Sequence, residues 1–252
     1  MKGEAATFLL AVQFLTRLPA PVGTGYTPER MAASVKYYPL VGALVGLVCA
    51  QAYWAASLAL PHALAAVAAI AVGLLITGAF HEDGLADVFD GVGGGASRER
   101  ALQIMKDSRL GTYGVAALVV ALALKAGALA ALPAEMMAAS LVAGHGLSRL
   151  SSVAAIATSR YAREEGTAKP VAVGVSRAAM AVALATGAAI MAGWALVRPP
   201  AALGCALAGL AAGHVLMRLF YERKLGGYTG DALGAVQQAS EIGFYLGLAA
   251  WA

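Results

Sequence analysis

Long apolar runs, separated by short polar segments, dominate the pattern of the chain. Each run approaches or exceeds the roughly 20 residues that a helix needs to cross a bilayer. The runs lack the alternation of polar and apolar positions that is typical of a membrane-spanning β-strand. They therefore predict an all-α, polytopic membrane helical bundle with about seven transmembrane helices. The predicted spans are Val35–Leu60, His62–Phe80, Thr112–Leu132, Ala134–Ser159, Arg177–Val197, Ala201–Tyr221 and Leu233–Ala252.

The first apolar segment, AATFLLAVQFLTRLPAP, is shorter than these runs because Arg17 and Pro19 interrupt it. It is too short for a span, so it predicts an interfacial or re-entrant helix. It also lacks the basic start and the small-residue cleavage site of a signal peptide, and we expect no cleavage there. We expect residues 1–252 to form a single integral membrane domain.

The composition supports the prediction of a membrane protein and excludes a soluble one. Hydrophobic residues make up 60% of the 252 residues and charged residues 13%, whereas soluble domains carry roughly 25% charged residues. The mean hydropathy is +0.72 and the sequence pI is about 9.1. Because the basic residues lie in loops between apolar runs, the high pI does not indicate a nucleic-acid partner.

Basic side chains are concentrated in alternate segments between the predicted spans. The other loops hold only His62, Glu135 and Arg198. By the positive-inside rule, the basic segments and the N-terminus are cytoplasmic and the C-terminus is outside. The basic residues are Lys2, Arg17, Arg30 and Lys36 before the first span, Arg98, Arg100, Lys106 and Arg109 after the second, Arg160, Arg163, Lys169 and Arg177 after the fourth, and Arg218, Arg223 and Lys224 around the end of the sixth.

An acidic cluster follows the second predicted span, in the stretch GAFHEDGLADVFDGVGGG. On a helix, Asp83, Asp87 and Asp90 fall within an arc of about 60°, and Glu82 points about 100° away from Asp83. Three like charges in register repel each other, and a hard divalent cation such as Mg²⁺ would offset that repulsion. The alternative is a solvated helix end, where acidic residues are common.

Glycines and basic residues surround this cluster. Gly93 and Gly94 follow it and would let backbone N–H groups approach an anion, although they could equally form a hinge. In the next motif, IMKDSRLGTYG, Lys106 and Arg109 are suited to binding phosphate oxygens. Ordinary cytoplasmic charge would explain the same two residues.

Two later loops add further candidates. Asp231, in KLGGYTGDALGA, could complete a metal site from across the bundle or could cap the last helix. In SRYAREEGTAKP, Arg160 and Arg163 could bind a substrate phosphate, or Glu164 and Glu165 could pair with them. Within the spans, charged residues such as Lys125, Arg149 and Glu241 are costly and need partners.

Carboxylates in register, Mg²⁺ and scattered cations at a membrane surface suit chemistry on a pyrophosphate. Asp87, Asp90 and Gly91 resemble the D-x2-D-G start of the CDP-alcohol phosphotransferase motif, but the Ala-Arg and the second acid pair of that motif are absent. A phospholipid-type CDP-alcohol phosphotransferase is therefore one alternative. An ion-coupled transporter is another, since intramembrane charges also mark transport paths.

Six motifs in order give a closer resemblance. FLTRLPAP, YYPLVG, HEDGLADVFDG, IMKDSRLGTYG, YAREEG and GGYTGDALGA resemble cobalamin synthase, the adenosylcobinamide-GDP ribazoletransferase family, from about residue 8 to residue 246. The resemblance implies a Mg²⁺-dependent membrane enzyme that joins adenosylcobinamide-GDP to α-ribazole or its 5′-phosphate and releases GMP. It places Asp83, Asp87 and Asp90 in the first acidic motif, Lys106, Asp107 and Arg109 in the second motif, Arg163 and Glu165 in the third, and Asp231 in the fourth.

The mechanism that follows from this resemblance is a hypothesis. Mg²⁺ would be held by Asp83, Asp87 and Asp90, with Asp231 as a further ligand, and would bind the pyrophosphate. The ribazole hydroxyl would attack the cobinamide-side phosphorus while Asp231 or Asp107 accepts its proton. Substrate binding is expected at Lys106, Arg109, Arg160, Arg163, Glu165, Gly93 and Gly94, and catalysis at Asp87, Asp90, Asp107 and Asp231.

The resemblance also implies where the enzyme works and with what. We expect a multi-pass protein of the prokaryotic inner membrane with its active site facing the cytoplasm. Its partners would be the corrinoid nucleotide, α-ribazole and the lipid bilayer. A homo-oligomer, or an assembly with other enzymes of cobalamin assembly, is a further expectation.

Overall fold

The structure is a computed structural model and describes residues 3–20, 25–163 and 174–252. Within these ranges the regular secondary structure is helical, which confirms the all-α class. Tyr161 and Tyr228 also pair through an isolated β-bridge. The α-helices are α1 (Glu4–Leu15), α2 (Pro28–Ser34), α3 (Tyr38–Ser57), α4 (His62–Thr77), α5 (Phe80–Gly94), α6 (Arg98–Ile104), α7 (Thr112–Ala131), α8 (Met137–Thr158), α9 (Arg177–Val197), α10 (Pro200–Leu225) and α11 (Gly230–Trp251). Short 3₁₀ turns, Val35–Tyr37 and Ala134–Met136, precede α3 and α8.

Four helical segments in the described ranges are long and apolar enough to cross a membrane by themselves. They are the continuous segment Pro28–Ser57 and the helices α7, α9 and α10. A fifth is obtained if α4 and α5 count as one bent span. The chain therefore has the character of a membrane protein, but the expected number of about seven spans is not confirmed.

The difference lies mainly in α8 and α11, which have 22 residues each but are too polar to qualify as spans on composition. Their polar side chains are buried inside the bundle, where helices face each other rather than lipid. A count based on apolar runs treats every long helix alike, whereas the bundle places its polar residues on the central helices.

The predicted span His62–Phe80 ends early. Gly78 (φ 65°) caps α4 in the left-handed conformation, and Ala79 (φ 54°) repeats it, which is uncommon for a residue with a side chain. These two residues turn α5 by 87° away from α4. The backbone N–H of Arg17 donates to the carbonyl of Ile76 at 2.6 Å, which holds the end of the α1 segment beside this turn.

Helix α11 is the central element and packs against α5, α7, α8 and α10. Its contact with α10 is a close approach of two backbones: a Cβ added at Gly213 would lie 2.7 Å from the carbonyl carbon of Ala239. Small residues at such crossings are a common means of association between membrane helices. The result is that α5 and α11, which carry most of the predicted acids, lie side by side.

Candidate active site

All four residues of the predicted acidic cluster lie on one helix, α5, as their spacing indicates. Asp83 is exposed, Asp87 is partly buried and Asp90 is only 8% exposed. Glu82 points elsewhere, into the bundle, where its Oε1 lies 3.8 Å from the Lys125 ammonium. The four acids therefore fall into different environments.

Asp90 is bound to the beginning of α7. Its Oδ2 accepts a hydrogen bond from the backbone N–H of Gly111 at 2.7 Å, and its Oδ1 accepts one from Gly114 at 2.8 Å. These N–H groups are among those that a helix start leaves unsatisfied, and the positive end of the helix dipole favours a carboxylate there. Sequence reasoning expected Asp90 as a metal ligand and catalytic group, and the structure gives it a capping contact.

Asp231 lies at the start of α11, beside α5. The cap of α11 is Thr229, whose Oγ1 accepts from the N–H of Ala232 at 3.2 Å, so capping does not explain Asp231. Gly84 of α5 packs directly on Asp231, because a Cβ at Gly84 would lie 2.6 Å from the Asp231 carbonyl oxygen. This glycine lets the two acidic segments approach each other.

Arg163 reaches the same place from a third segment. The bridge between Tyr161 and Tyr228, with the hydrogen bond from the N–H of Ala162 to the Tyr228 carbonyl at 2.8 Å, aligns the two loops. Arg163 Nη2 then lies 2.8 Å from Asp231 Oδ2. The structure thus joins three of the sequence motifs, since Asp83 and Asp87 come from the first, Arg163 from the third and Asp231 from the fourth.

Burial and neighbouring negative charges raise the pKa values of Asp87 and Asp231. Burial, together with the negative charges of Asp231 and Asp83, raises the pKa of Asp87 to about 7, and Arg163 opposes that shift. Burial also raises the pKa of Asp231, against the lowering effect of its ion pair with Arg163. The carboxylates repel one another, so the site favours an added cation.

A cavity of about 50 Å³ lies between Asp83 and Asp231. Its wall includes the guanidinium-bearing residue Arg149, with His81 and Ser152 beside it. Neither His81 nor Ser152 is among the site residues that the sequence predicts. His81 stands next to the acidic motif, which is a signal that could have drawn attention to it, whereas the position of Ser152 follows only from the packing of α8 on α11.

The charged residues of the motif IMKDSRLGTYG do not all face the same place. Asp107 pairs with Arg109, whose Nη2 lies 2.6 Å from Asp107 Oδ2, and the Arg109 side chain is 87% exposed. Hydrogen bonds from the side chain and the backbone of Arg109 lower the pKa of Asp107 to about 2. Lys106 instead lines a groove together with Arg163. The expected role of Asp107 as a base is disfavoured by that low pKa.

The remaining predicted residues have varied positions. Gly93 and Gly94 belong to the last turn of α5 rather than to a loop, and a Cβ at Gly93 would lie 3.0 Å from the Tyr113 ring, so close packing explains that glycine. Arg160 is exposed, and its carbonyl accepts from the N–H of Tyr228 at 2.8 Å. Glu165 lies outside the described residues.

No group of three His, Cys, Asp or Glu side chains within residues 3–20, 25–163 and 174–252 is placed to hold a metal ion. Mg²⁺ commonly uses only one or two carboxylates together with substrate phosphates and water. Asp83 and Asp87, whose carboxylates have no ion-pair partner among the described residues, fit that smaller donor set. Metal binding by the full set of four acids expected from the sequence stays a prediction.

A second charged region lies deeper, among α5, α7, α8 and α11. The Lys125 ammonium lies 3.0 Å from Glu241 Oε1 and donates to Gln238 Oε1 at 2.7 Å, in addition to its contact with Glu82. Glu241 Oε2 lies 3.3 Å from His145 Nδ1. We call these residues, with Arg149 and Gln237, the buried network.

The buried network is largely paired, but a few of its polar atoms are not. Arg149 Nη1 donates to the His145 carbonyl at 2.9 Å, and Gln237 Nε2 donates to Glu241 Oε2 at 2.6 Å. Glu82 Oε2 and Arg149 Nε have no hydrogen-bond partner among the described residues. A cavity of about 20 Å³ adjoins them, which is large enough for one water molecule.

Fold and site together define a helical membrane protein with a carboxylate and arginine centre between α5 and α11. The model of the cobalamin-5-phosphate synthase family matches residues 7–249. The chain belongs to this family of enzymes, as the six motifs indicated.

Similar curated proteins bear the name adenosylcobinamide-GDP ribazoletransferase. One from Leptothrix cholodnii is 48% identical over 250 residues, which cover 97% of this chain and 95% of that protein. One from Ralstonia nicotianae is 42% identical over 96% of this chain and 94% of its own length, and one from Shewanella frigidimarina is 41% identical over 95% and 92%. No solved structure matches the chain significantly.

Proposed function

We propose that this protein transfers the cobinamide phosphoryl group of adenosylcobinamide-GDP to α-ribazole or its 5′-phosphate, releasing GMP. Adenosylcobalamin or its phosphate is the other product. The name of the relatives supports this reaction, and one observation carries it at the level of the site. Asp83 of α5 lines a cavity together with Asp231 of α11, the charges of both act on Asp87, and Arg163 pairs with Asp231, so carboxylates and a guanidinium lie near each other as a pyrophosphate substrate requires.

Asp83 and Asp87 are the residues that would hold Mg²⁺, with Asp231 close by. A cation held by these residues would supply the positive charge that offsets the negative charge developing on the phosphate oxygens. Burial and the repulsion of the neighbouring carboxyls, which together raise the pKa of Asp87, support the proposal. Asp90 is left out of this set because both of its oxygens accept backbone hydrogen bonds.

The chain's own groups do the remaining work. Arg163 is held on Asp231 and would bind phosphate oxygens with its remaining N–H groups. Asp231 is the better candidate to accept the proton of the attacking hydroxyl, because burial raises its pKa. Asp107 is a weaker base because its pKa is near 2.

We place the enzyme in the prokaryotic inner membrane with this site on the cytoplasmic side. Arg98, Lys106 and Arg163 lie around the site, and the positive-inside rule assigns such a basic face to the cytoplasm. The lipid bilayer is the expected surrounding of the apolar helices. A homo-oligomer, or association with other enzymes of cobalamin assembly, stays a prediction.

The direct test is release of GMP by the purified protein in liposomes. Adenosylcobinamide-GDP and α-ribazole 5′-phosphate are supplied with Mg²⁺ or with a chelator. The proposal expects GMP and a cobamide product in equal amounts, and only with Mg²⁺. Turnover of a CDP-linked alcohol without use of the corrinoid would instead favour a CDP-alcohol phosphotransferase. Uptake of a solute without any chemistry would favour a transporter.

A further inference from the structure

We call Asp83, Asp87, Asp231 and Arg163 the acid site. A basic groove of about 480 Å³ lies beside it, along α6, and shares Arg163 with it. Five of its lining residues, Leu102 among them, come from α6 and the turn after it, and two come from the loop that carries Arg163. We define the basic groove by Arg98, Glu99, Gln103, Lys106, Ala162 and Arg163. Its size exceeds that of a single nucleotide, and it is open to solvent.

Arg163 connects the basic groove to the acid site. Its Nη2 contacts Asp231, and its Nε is buried without a hydrogen-bond partner among the described residues. A buried donor without an acceptor is unfavourable. An anionic oxygen bound at this end of the groove would satisfy it, next to the carboxylates of the acid site.

The positive charge of the groove is only partly offset. Arg98 donates from Nε to the Leu225 carbonyl and from Nη2 to the Ala162 carbonyl, both at 2.8 Å, which fixes the guanidinium but leaves its charge. Within the described ranges, no hydrogen bond or ion pair engages Lys106 Nζ. Glu99 is the acid of the groove, 3.9 Å from Arg98 and 77% exposed.

We propose that the basic groove binds the guanosine 5′-monophosphate half of the substrate's GDP group, with its phosphate at Arg163 and Lys106 and its guanine at Glu99. This inference rests on the proposed function, because it names the binding place of the nucleotide that leaves in that reaction. Arg109, which the sequence offered together with Lys106 for binding phosphate oxygens, is paired with Asp107 and does not line the groove.

The assignment of Glu99 follows from hydrogen-bond chemistry. Guanine presents two donors, N1–H and the N2 amino group, on one edge, and an ionised carboxylate offers two acceptors. Adenine presents an acceptor at N1, which a carboxylate would repel. Hypoxanthine keeps N1–H but lacks the amino group. The groove should therefore prefer GMP to IMP and IMP to AMP.

The test is binding of GMP to the full-length protein in liposomes, measured by equilibrium dialysis. Lys106→Ala should weaken GMP binding about tenfold or more, since it removes a charge-assisted hydrogen bond. Arg223→Ala is the matched control, because Arg223 is an exposed basic residue outside the groove. It should leave GMP affinity within about twofold of the wild type.

Base preference gives an independent readout. Glu99→Ala should reduce the preference for GMP over IMP and AMP, whereas a general loss of folding would weaken all three ligands alike. The assignment is overturned if GMP binds equally well to wild type and Lys106→Ala, or if Glu99→Ala leaves the preference unchanged.

Turnover of the corrinoid substrate, measured on the same preparations, distinguishes a failure of the groove assignment from a failure of the proposed function. If wild type turns over but the Lys106 and Glu99 variants bind GMP normally, the groove assignment fails and the proposed function stands. If wild type does not turn over but GMP binding depends on Lys106 and Glu99, the proposed function fails and the groove remains a guanine nucleotide site.

Discussion

Helix α5 presents carboxylates to two regions that differ in their balance of charge. On one side, Glu82 lies in the buried network, where two acids, Glu82 and Glu241, meet two cations, Lys125 and Arg149. On the other side, Asp83 and Asp87 lie near Asp231, whose ion-pair partner is Arg163, and Arg149 of the buried network also reaches the wall of the cavity there. Adjacent residues of one helix therefore serve a balanced cluster and an unbalanced one.

This difference in charge balance predicts different roles for the two regions. A buried network with balanced charge and many hydrogen bonds can persist inside a membrane bundle without further ligands. The acid site keeps an excess of negative charge in partly buried surroundings, which is unfavourable until a cation is added. We infer that the buried network holds α5, α7, α8 and α11 together, and that the acid site is built for Mg²⁺ and phosphate.

The largest expected effect separates the two regions by activity. Asp87→Asn should lower kcat about a thousandfold or more, because stabilisation by a catalytic metal amounts to several kcal/mol. The variant should remain folded, since the described part of the chain gives Asp87 no ion-pair partner to lose. The rate of GMP release and the unfolding temperature in detergent are the measurements. Near-full activity would contradict the metal assignment.

Lys125→Met should act on stability instead. It leaves the buried carboxylates of Glu241 and Glu82 without their cation, and breaking a buried pair in this way costs about 3–5 kcal/mol. We expect a large loss of folded protein in the membrane or a clear drop in unfolding temperature. The double variant Lys125→Met with Glu241→Gln should be more stable than Lys125→Met alone. Equal stability of wild type and Lys125→Met would show that the network is dispensable.

Asp90→Ala is expected to have a moderate structural effect. It removes the acceptors of two backbone N–H groups at the start of α7, and losing such a capping contact costs about 1–2 kcal/mol. Asp90→Asn, which keeps one side-chain oxygen, should lose less. Thermal unfolding of both variants tests this. A variant with normal stability but no metal binding would mean that Asp90 is a ligand, as the sequence predicted.

Asp107→Asn should have the smallest effect. The lowered pKa of Asp107 means that its interaction with Arg109 is complete above the usual carboxyl pKa of about 4 and is lost only as pH falls towards 2. Its charge is therefore constant between about pH 6 and 9. We expect less than a twofold change in kcat and an unchanged pH profile in that range. Loss of the acidic limb of the profile would identify Asp107 as the base.

Much of the candidate site could be predicted from sequence because its residues lie in compact motifs. The spacing of Asp83 and Asp87 on a helix needs only the helical period, and the separate direction of Glu82 follows from the same geometry. The partner of Lys125 could not be predicted, since Glu241 is more than a hundred residues away and its contact depends on how α7 packs on α11.

The expected number of about seven spans is not confirmed, and the glycine run allowed two interpretations, for a related reason. Apolar runs indicate length and composition, but they do not distinguish α8 and α11, which face other helices, from helices that face lipid. A run of glycines fits a loop or a close helix contact equally well, and only the position of Tyr113 decides for Gly93. The hydrogen bonds of Asp90 likewise depend on Gly111 and Gly114, which lie at the start of a different helix.

The most direct test of the central claim compares the two faces of α5 by metal binding. Mn²⁺, as a substitute for Mg²⁺, is titrated into the protein in liposomes with GDP present, and bound Mn²⁺ is followed by electron paramagnetic resonance. Wild type and Glu82→Gln, once each is shown to be folded, should bind Mn²⁺, and Asp87→Asn should not. Binding that survives in Asp87→Asn and disappears in Glu82→Gln would contradict the division of α5 into a structural and a metal-binding face.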